Sequence, residues 1–185
     1  MKKLFLLAAG LMASLAASAQ SESGMGPFIA PTVGLNLAST TGDGTKTMPA
    51  FTVGAVYMGH FANTENEKIR EKLGASMGLM YSMQGAKTDG GGDNLKLSYI
   101  QIPILLHFYP VKGLAIKAGV QTGFLISAKY GDTSIHSDCN TQDVSIPVGA
   151  AYEIGRLVLD ARYNIGVTKI SDNGDARNNV LQFTL

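Results

Sequence analysis

The stretch from Gly113 to Lys129, GLAIKAGVQTGFLISAK, constrains the fold more than any other part of the chain, because apolar residues alternate along it with small or polar ones. A period of two places successive side chains on opposite faces of a β-strand, whereas an amphipathic helix repeats its apolar residues three and four apart. The stretch is therefore predicted to be a strand. It is much longer than the roughly five or six residues of a globular strand, and it is long enough to cross a bilayer at a tilt of about 45° and protrude.

The two faces of this strand differ in composition. The apolar face carries Leu114, Ile116, Ala118, Val120, Thr122, Phe124 and Ile126. The other face carries Ala115, Lys117, Gly119, Gln121, Gly123, Leu125, Ser127 and Lys129. A sheet surface facing water is usually dense in charged residues, whereas small residues with a few charges suit a narrow, filled lumen. This pattern favours a barrel that turns its apolar face outward to lipid.

The first 19 residues have the organisation of a secretory signal peptide. Lys2 and Lys3 form a positive n-region, Leu4 to Leu15 a short apolar run, and Ala17 to Ala19 a small-residue cleavage site. We expect residues 1–19 to be removed by cleavage near Ala19, leaving residues 20–185 as one barrel domain outside the cytoplasm.

Charge and hydropathy narrow the class of protein further. The formal net charge is +1 at pH 7, which argues against electrostatically driven binding of nucleic acid. The hydrophobic content is 45% and the mean hydropathy is +0.12, although the chain contains 22 glycines and no long apolar run after the signal peptide. A transmembrane barrel reconciles these facts, because lipid accepts the apolar face of each strand while no single segment is apolar throughout.

Alternating segments predict an all-β fold, an eight-stranded antiparallel up-and-down transmembrane β-barrel. The predicted strands are Phe28 to Leu37, Ala50 to Phe61, Leu73 to Gln84, Leu95 to Tyr109, Gly113 to Lys129, Asp143 to Ile154, Arg156 to Ile170 and Asn179 to Leu185. Polar loops, including Ser39 to Met48 and Gly85 to Asn94, follow alternate strands, and tight turns are expected at Pro110 to Lys112 and at Gly155. Outer-membrane barrels have long outer loops and short periplasmic turns, which predicts a periplasmic amino terminus.

Several segments resemble the PorT family of Gram-negative outer-membrane β-barrel proteins. They are Val33 to Leu37, Tyr81 and Ser82 with Gly85 to Lys87, Ile102 to Leu106 ahead of Tyr109 and Pro110, Gly123 to Lys129, and Leu159 to Asn164. The resemblance covers nearly the whole mature chain. It implies an eight-stranded barrel in the outer membrane, and it carries over no functional residues. The family is named for a member tied to protein secretion, and an accessory role in secretion or envelope function is one expectation for this chain.

Ionisable residues on the inward faces predict a structural polar network in the lumen. Alternation places these groups inside: Lys117, Gln121, Lys129, Asp143, Glu153, Asp160 and Arg162. Facing lipid, a basic residue near the midplane would cost roughly 2–4 kcal/mol. Two ionic clusters are expected, with Lys129 near Asp143 at the loop ends and Lys117 near Glu153 toward the turn ends.

No residue pattern predicts catalysis, a cofactor or a metal. Ser134, His136 and Asp138 have the residue types of a hydrolytic triad, but alternate residues in one loop are poorly placed for a nucleophile and its base. His107 and His60 are interpreted as lumen or rim residues, and Cys139, the one cysteine, as a loop thiol. The acidic run Asp172 to Asp175 lacks the EF-hand spacing and is explained by turn chemistry.

The sequence therefore favours a non-enzymatic, integral outer-membrane protein that anchors exposed loops. Its expected partners are outer-membrane lipid and, during assembly, the barrel-insertion machinery. Two alternatives remain open: a lipid-modifying hydrolase or acyltransferase of the outer membrane, and a soluble periplasmic barrel that binds an apolar ligand.

Overall fold

A computed structural model describes residues 28–40, 45–60, 72–88, 94–131, 133–135, 139–155, 157–170 and 176–185. The strands are β1 (Phe28–Thr40), β2 (Thr45–His60), β3 (Leu73–Thr88), β4 (Leu95–Val111), β5 (Leu114–Tyr130), β6 (Thr133–Ser134), β7 (Gln142–Ile154), β8 (Leu157–Lys169) and β9 (Arg177–Thr184). Residues 1–19, the expected signal peptide, lie outside the described ranges. So does Phe61, the last residue of the second predicted strand. Within these ranges no helix is long and apolar enough to cross a membrane, which does not bear on crossing by strands.

The sheet closes on itself as a barrel. Every neighbouring pair is antiparallel, β1 pairs with both β2 and β9, and β4 pairs with both β3 and β5. The two-residue strand β6 pairs only with the end of β5 and forms no part of the wall. Eight strands therefore make up the wall, and the predicted fold class is confirmed.

Alternation along each strand separates an outer apolar surface from a filled interior. On β5, for example, Phe124 and Ile126 are 43% and 51% exposed, while Leu125 between them is 4% exposed. The other strands also turn most of their large aliphatic and aromatic side chains outward. Closure removes the edges of the sheet, so each strand of the wall pairs with a neighbour on both sides and the backbone is satisfied internally.

The two ends of the barrel differ in their connections. Lys112 and Gly113 alone separate β4 from β5, and Gly113 has a φ of 83°, a conformation that favours glycine. Gly155, with a φ of 61°, lies in the short turn from β7 to β8. We call this end the turn end, and it also holds the longer connection from β2 to β3. At the opposite end, the loop end, β1 connects to β2, β3 to β4, β5 to β7, and β8 to β9.

Three strands extend further toward the loop end than the sequence predicts. The predicted bounds of the first loop, Ser39 to Met48, are wrong at both ends, because β1 continues to Thr40 and β2 begins at Thr45. Likewise β3 runs on to Thr88, within the loop expected from Gly85. Backbone pairing continues beyond the last residues of the apolar alternation, so a hydrophobic pattern underestimates these strands.

Two prolines interrupt the ladders of the wall. Between β3 and β4 the pairing stops at Met77 with Ile104 and resumes at Met80 with Gln101, and Pro103 lies in this gap. Between β5 and β7 it stops at Ala118 with Val148 and resumes at Gln121 with Ser145, and Pro147 lies in that gap. Proline has no N–H to donate, which accounts for a local gap in each ladder.

Candidate functional site

An ion triad lies inside the barrel toward the turn end. The Lys117 Nζ is 2.6 Å from Asp160 Oδ2, and the Arg162 Nε is 2.6 Å from Asp160 Oδ1. The three side chains are only 4–5% exposed. One carboxylate therefore bridges two cations, and removing any member would leave a buried charge without its partner.

A glycine on β7 makes room for this triad. Lys117 of β5 lies directly opposite Gly149 of β7, and Gly149 lies directly opposite Arg162 of β8. The lysine side chain must therefore extend across β7 to reach Asp160 on β8. A Cβ at Gly149 would lie 2.2 Å from the Ala161 carbonyl oxygen and 2.8 Å from the Arg162 Cγ. Only glycine therefore lets β7 and β8 approach closely with the arginine side chain lying over the backbone.

A second polar chain runs across the turn end. The Ser76 Oγ lies 2.8 Å from His107 Nε2, and the Tyr109 hydroxyl lies 3.4 Å from His107 Nδ1. Tyr109 donates a hydrogen bond of 2.8 Å to Glu153 Oε1. Because the tyrosine proton points to Glu153, its oxygen is left to accept from His107 Nδ1, and the neutral Nε2 then accepts from Ser76. Register places His107 level with Lys117, so this chain adjoins the ion triad.

The pairing of a serine with a histidine has the geometry of a nucleophile and its base. However, Ser76 is 5% exposed and His107 is 2% exposed, among interior side chains that fill the turn end. A substrate could reach the Ser76 hydroxyl only by displacing that packing. The arrangement therefore serves as a hydrogen-bonded chain that fixes the positions of β3, β4 and β7.

Amide and hydroxyl groups line the lumen nearer the loop end. Asn36 donates to Ser82 Oγ at 2.9 Å and to the Met83 carbonyl at 2.8 Å, and Gln84 donates to Ser82 at 3.2 Å. Asn178 donates to Gln84 Oε1, which joins β9 to β3 across the interior. Side chains from β1, β3 and β9 are thus tied together directly, in addition to the ladders of the wall.

Two further residues of the expected network, Gln121 and Asp143, are buried and form hydrogen bonds rather than ion pairs. Gln121 donates to Ser145 Oγ at 3.3 Å. Asp143 accepts from Thr168 Oγ1 at 3.2 Å, and the Val144 N–H in turn donates to that hydroxyl at 2.8 Å. The expected pairing of Asp143 with Lys129 is absent from these contacts.

Lys129 is the one predicted network residue that lies on the opposite face. It is exposed, although strict alternation from Lys117 would turn it inward. Ser98 pairs with Ser127, and the next residue of β4, Tyr99, pairs with Leu125. One step along β4 therefore corresponds to two residues of β5, which leaves Ile126 without a partner on β4. This bulge at Ile126 reverses the facing of the residues beyond it, and alternation alone could not reveal it. The inward placement of Lys129 is therefore wrong.

The turn-end ionic pairing also differs from the expected one. Lys117 contacts Asp160 rather than Glu153, and Glu153 instead accepts from Tyr109. The chain from Ser76 to Glu153 was not foreseen from the sequence. The available signal was that Ser76, His107 and Tyr109 all fall on inward positions of neighbouring strands.

Other candidates from the sequence contribute little or lie outside the described residues. Ser134 is exposed on β6, whereas His136, Asp138 and the run Asp172 to Asp175 are not described. Cys139 is half-buried and packs against an apolar cluster that plugs the loop end of the lumen. The buried members of this plug are Leu97, Tyr99, Leu125, Ala128 and Ile170. Among the described residues no group of histidine, cysteine and acidic side chains could hold a metal ion.

Comparison with known proteins adds a family and a fold. Residues 18–172 match the model of a family described as outer membrane protein beta-barrel domain. The attachment invasion locus protein Ail of Yersinia pestis has a similar fold, with a TM-score of 0.52 and 15% identity over 86% of this chain and 96% of that one. A de novo designed transmembrane β-barrel gives a TM-score of 0.39 at 15% identity, covering 89% of this chain and 98% of that one. Comparison with curated protein sequences gives no match.

Proposed function

The chain belongs to the family of outer membrane protein beta-barrel domains, and from this premise we propose that it is a non-enzymatic membrane anchor whose loops carry its function. The observation that supports an anchor most directly is the filled interior. Five large side chains inside the barrel are at most 4% exposed: Met80, Tyr99, Gln101, Leu105 and Arg162. A lumen closed by its own side chains has no room for a solute path.

The outward apolar surface argues against a soluble barrel that holds an apolar ligand. Such a protein would turn its aliphatic side chains inward, whereas Leu35, Leu79 and Leu106 are 64%, 59% and 63% exposed. The interior instead combines amides, hydroxyls and the ion triad with the apolar plug at the loop end. Contact with lipid is the environment that stabilises this distribution of side chains.

We further propose that the protein resides in the outer membrane of a Gram-negative cell after removal of residues 1–19. Delivery and insertion would involve the barrel-insertion machinery. The test combines membrane fractionation with an SDS gel of unheated and boiled protein, since a folded membrane barrel resists SDS until it is boiled. Recovery in the soluble periplasm without detergent, with no shift on boiling, would refute the proposal.

We also propose that the loop end faces the exterior and the amino terminus the periplasm. Two of the three turn-end connections, those after β4 and β7, are shorter than every connection at the loop end, and the connection between β2 and β3 is the exception. This supports the orientation, because outer-membrane barrels carry short turns on the periplasmic side. Protease added to intact cells should cut first around Gly91 and Ser137. Cleavage confined to the turns near Gly113 and Gly155 would establish the opposite topology.

An accessory role in secretion or envelope function, as the resemblance to the PorT family implies, fits a barrel that displays loops to partner proteins. A lipid-modifying activity is the competing function. His136→Ala should leave the lipid profile of the outer membrane unchanged. Loss of a modified lipid species in this variant would favour the enzyme instead.

A further inference from the structure

A shallow apolar groove crosses the outer surface of the wall from β1 to β4. Its volume is about 350 Å³, near the lower end of the range for small-molecule sites, roughly 300–1,000 Å³. Six side chains line it: Ile29, Ala55, Tyr57, Met77, Leu79 and Ile102. We call this feature the wall groove.

Small residues and a gap in the sheet explain why the wall is concave here. Ala55 lies directly opposite Leu79, so a methyl group sits where neighbouring positions carry large side chains. Gly78 faces inward and separates Met77 from Leu79, and it contributes only backbone to the groove. The ladder between β3 and β4 is also interrupted at this level. The floor is therefore low, while the borders are high, since Met77 and Leu79 are 53% and 59% exposed.

The wall groove runs from near the turn end toward the middle of the wall. Tyr57 lies three residues before β2 ends at His60, whereas Ile102 lies nine residues before β4 ends at Val111. Tyrosine is typical of the membrane interface, where its ring contacts apolar groups and its hydroxyl contacts polar ones. An acyl chain has the same direction, with its ester group at the interface and its methyl end at the bilayer centre.

The width of the groove selects a single chain over a folded partner. Met77 and Leu79 are two residues apart on one strand, which places their Cα atoms about 7 Å from each other. An α-helix is about 10–12 Å across with its side chains, so it cannot enter between them. The wall of a second barrel is convex and could insert only one side chain. The groove is continuous with the apolar wall that contacts lipid, and an extended acyl chain fits it.

Packing provides the preference for this site. Lipid tails are as apolar as the wall, so the hydrophobic effect does not favour one part of the wall over another, and association depends on packing. A chain on the flat wall contacts protein on one side only. In the groove it contacts the floor and both borders, and these dispersion contacts add up.

We propose that the wall groove binds one acyl chain of a diacyl glycerolipid from the leaflet at the turn end. The Tyr57 hydroxyl donates a hydrogen bond to an ester carbonyl of the same lipid. This inference rests on the proposed integral membrane location. It adds a defined site for one lipid to the contact of the whole wall with the bilayer.

The first test fills the groove in the folded, detergent-solubilised barrel. Ala55→Leu places a larger side chain on its floor. The matched control is Ala150→Leu, because Ala150 is an exposed outward alanine of β7, on the opposite side of the barrel. Binding of dipalmitoyl phosphatidylcholine is measured by native mass spectrometry. A change of one methylene in an apolar site is worth about 10–200-fold, so Ala55→Leu should weaken binding of the tightest lipid by at least about tenfold. The control should bind this lipid as the unsubstituted protein does.

The second test removes the hydroxyl without changing the shape of the groove. Tyr57→Phe should bind the ester lipid about 2–12-fold more weakly, which is the contribution of one hydrogen bond. The ether-linked analogue, dihexadecyl phosphatidylcholine, has no ester carbonyl and should bind this variant and the unsubstituted protein equally. This comparison remains decisive if Ala55→Leu does not fold.

Three results would overturn the inference. They are equal lipid binding by Ala55→Leu and Ala150→Leu, an equal response of the ester and ether lipids to Tyr57→Phe, and a dimer that Ala55→Leu converts to a monomer, which would make the groove an interface between copies. The gel shift on boiling is recorded for every variant. If the unsubstituted protein shows no shift, the proposed membrane location fails. If the shift is present and the substitutions leave lipid binding unchanged, only the wall groove proposal fails.

Discussion

Asp160→Asn is the substitution that tests the interior most severely. It keeps the size of the side chain but removes the one carboxylate that bridges Lys117 and Arg162, both of which lie 2.6 Å from it. The variant would hold two buried cations with no acid between them. Breaking a buried ion pair by removing one partner costs about 3–5 kcal/mol, so we expect the free energy of unfolding to fall by about that amount.

The matched control is Asp143→Asn. As whole residues Asp143 is 5% and Asp160 is 7% exposed, so the two sites are similarly buried. Asp143, however, accepts a hydrogen bond from Thr168 rather than pairing with a cation. Asparagine can still accept that bond through its carbonyl oxygen. We therefore expect a loss of at most about 1.5 kcal/mol, the net contribution of an ordinary hydrogen bond.

A third variant separates the cost of an unpaired charge from the contribution of the triad itself. Replacing Lys117 by Met, Asp160 by Leu and Arg162 by Met removes every charge, and such replacements of buried ion groups are often neutral or stabilising. It should be more stable than Asp160→Asn despite carrying more substitutions.

Urea titration in lipid vesicles gives the free energies. The chain has no tryptophan, so the folded fraction is followed by far-ultraviolet circular dichroism and by the gel shift on boiling. The reasoning fails if Asp160→Asn costs no more than Asp143→Asn, or if the charge-free variant is the least stable of the three.

Three further predictions follow from the fold and the polar interior. Gly149→Ala should destabilise the barrel by about 1–3 kcal/mol because its Cβ would overlap backbone, whereas Gly123→Ala, whose nearest neighbours lie 3.4 Å away, should cost less in the same titration. Ser76→Ala should leave the outer-membrane lipid profile unchanged by mass spectrometry, and loss of a lipid species would make the Ser76 and His107 pair catalytic. Purified protein in planar bilayers should give no large, steady conductance, and such a conductance would contradict a lumen filled by side chains.

The sequence predicted the parts of the interior that depend on one strand at a time. Lys117, Asp160 and Arg162 lie inside as alternation indicates, because a period of two fixes the facing of a side chain once the apolar face is known. The partners of these residues could not be predicted. Lys117 meets Asp160 because Gly149 opens the space between them, and that depends on the register of three strands.

Lys129 illustrates a second limit of sequence reasoning. The bulge at Ile126 inserts one residue relative to β4, and nothing in the local pattern of Leu125 to Ala128 distinguishes it from regular alternation. Likewise the bond from Tyr109 to Glu153 joins β4 to β7 across β5, and no spacing along the chain encodes it. Pattern identifies the faces of the wall, whereas register and bulges decide which groups meet.

The two proline gaps in the wall have a consequence for motion. Pro103 interrupts the ladder on one side of the β4 and β5 hairpin, and Pro147 interrupts it on the other. The hairpin is continuous within itself but has weakened lateral bonding to both neighbours. Local opening begins where backbone hydrogen bonds are fewest, so the segments of β3 and β5 that face these prolines should open more readily than the paired residues on either side of them. Amide hydrogens in the two gaps should exchange with solvent deuterium before those of the neighbouring paired residues of the same strands.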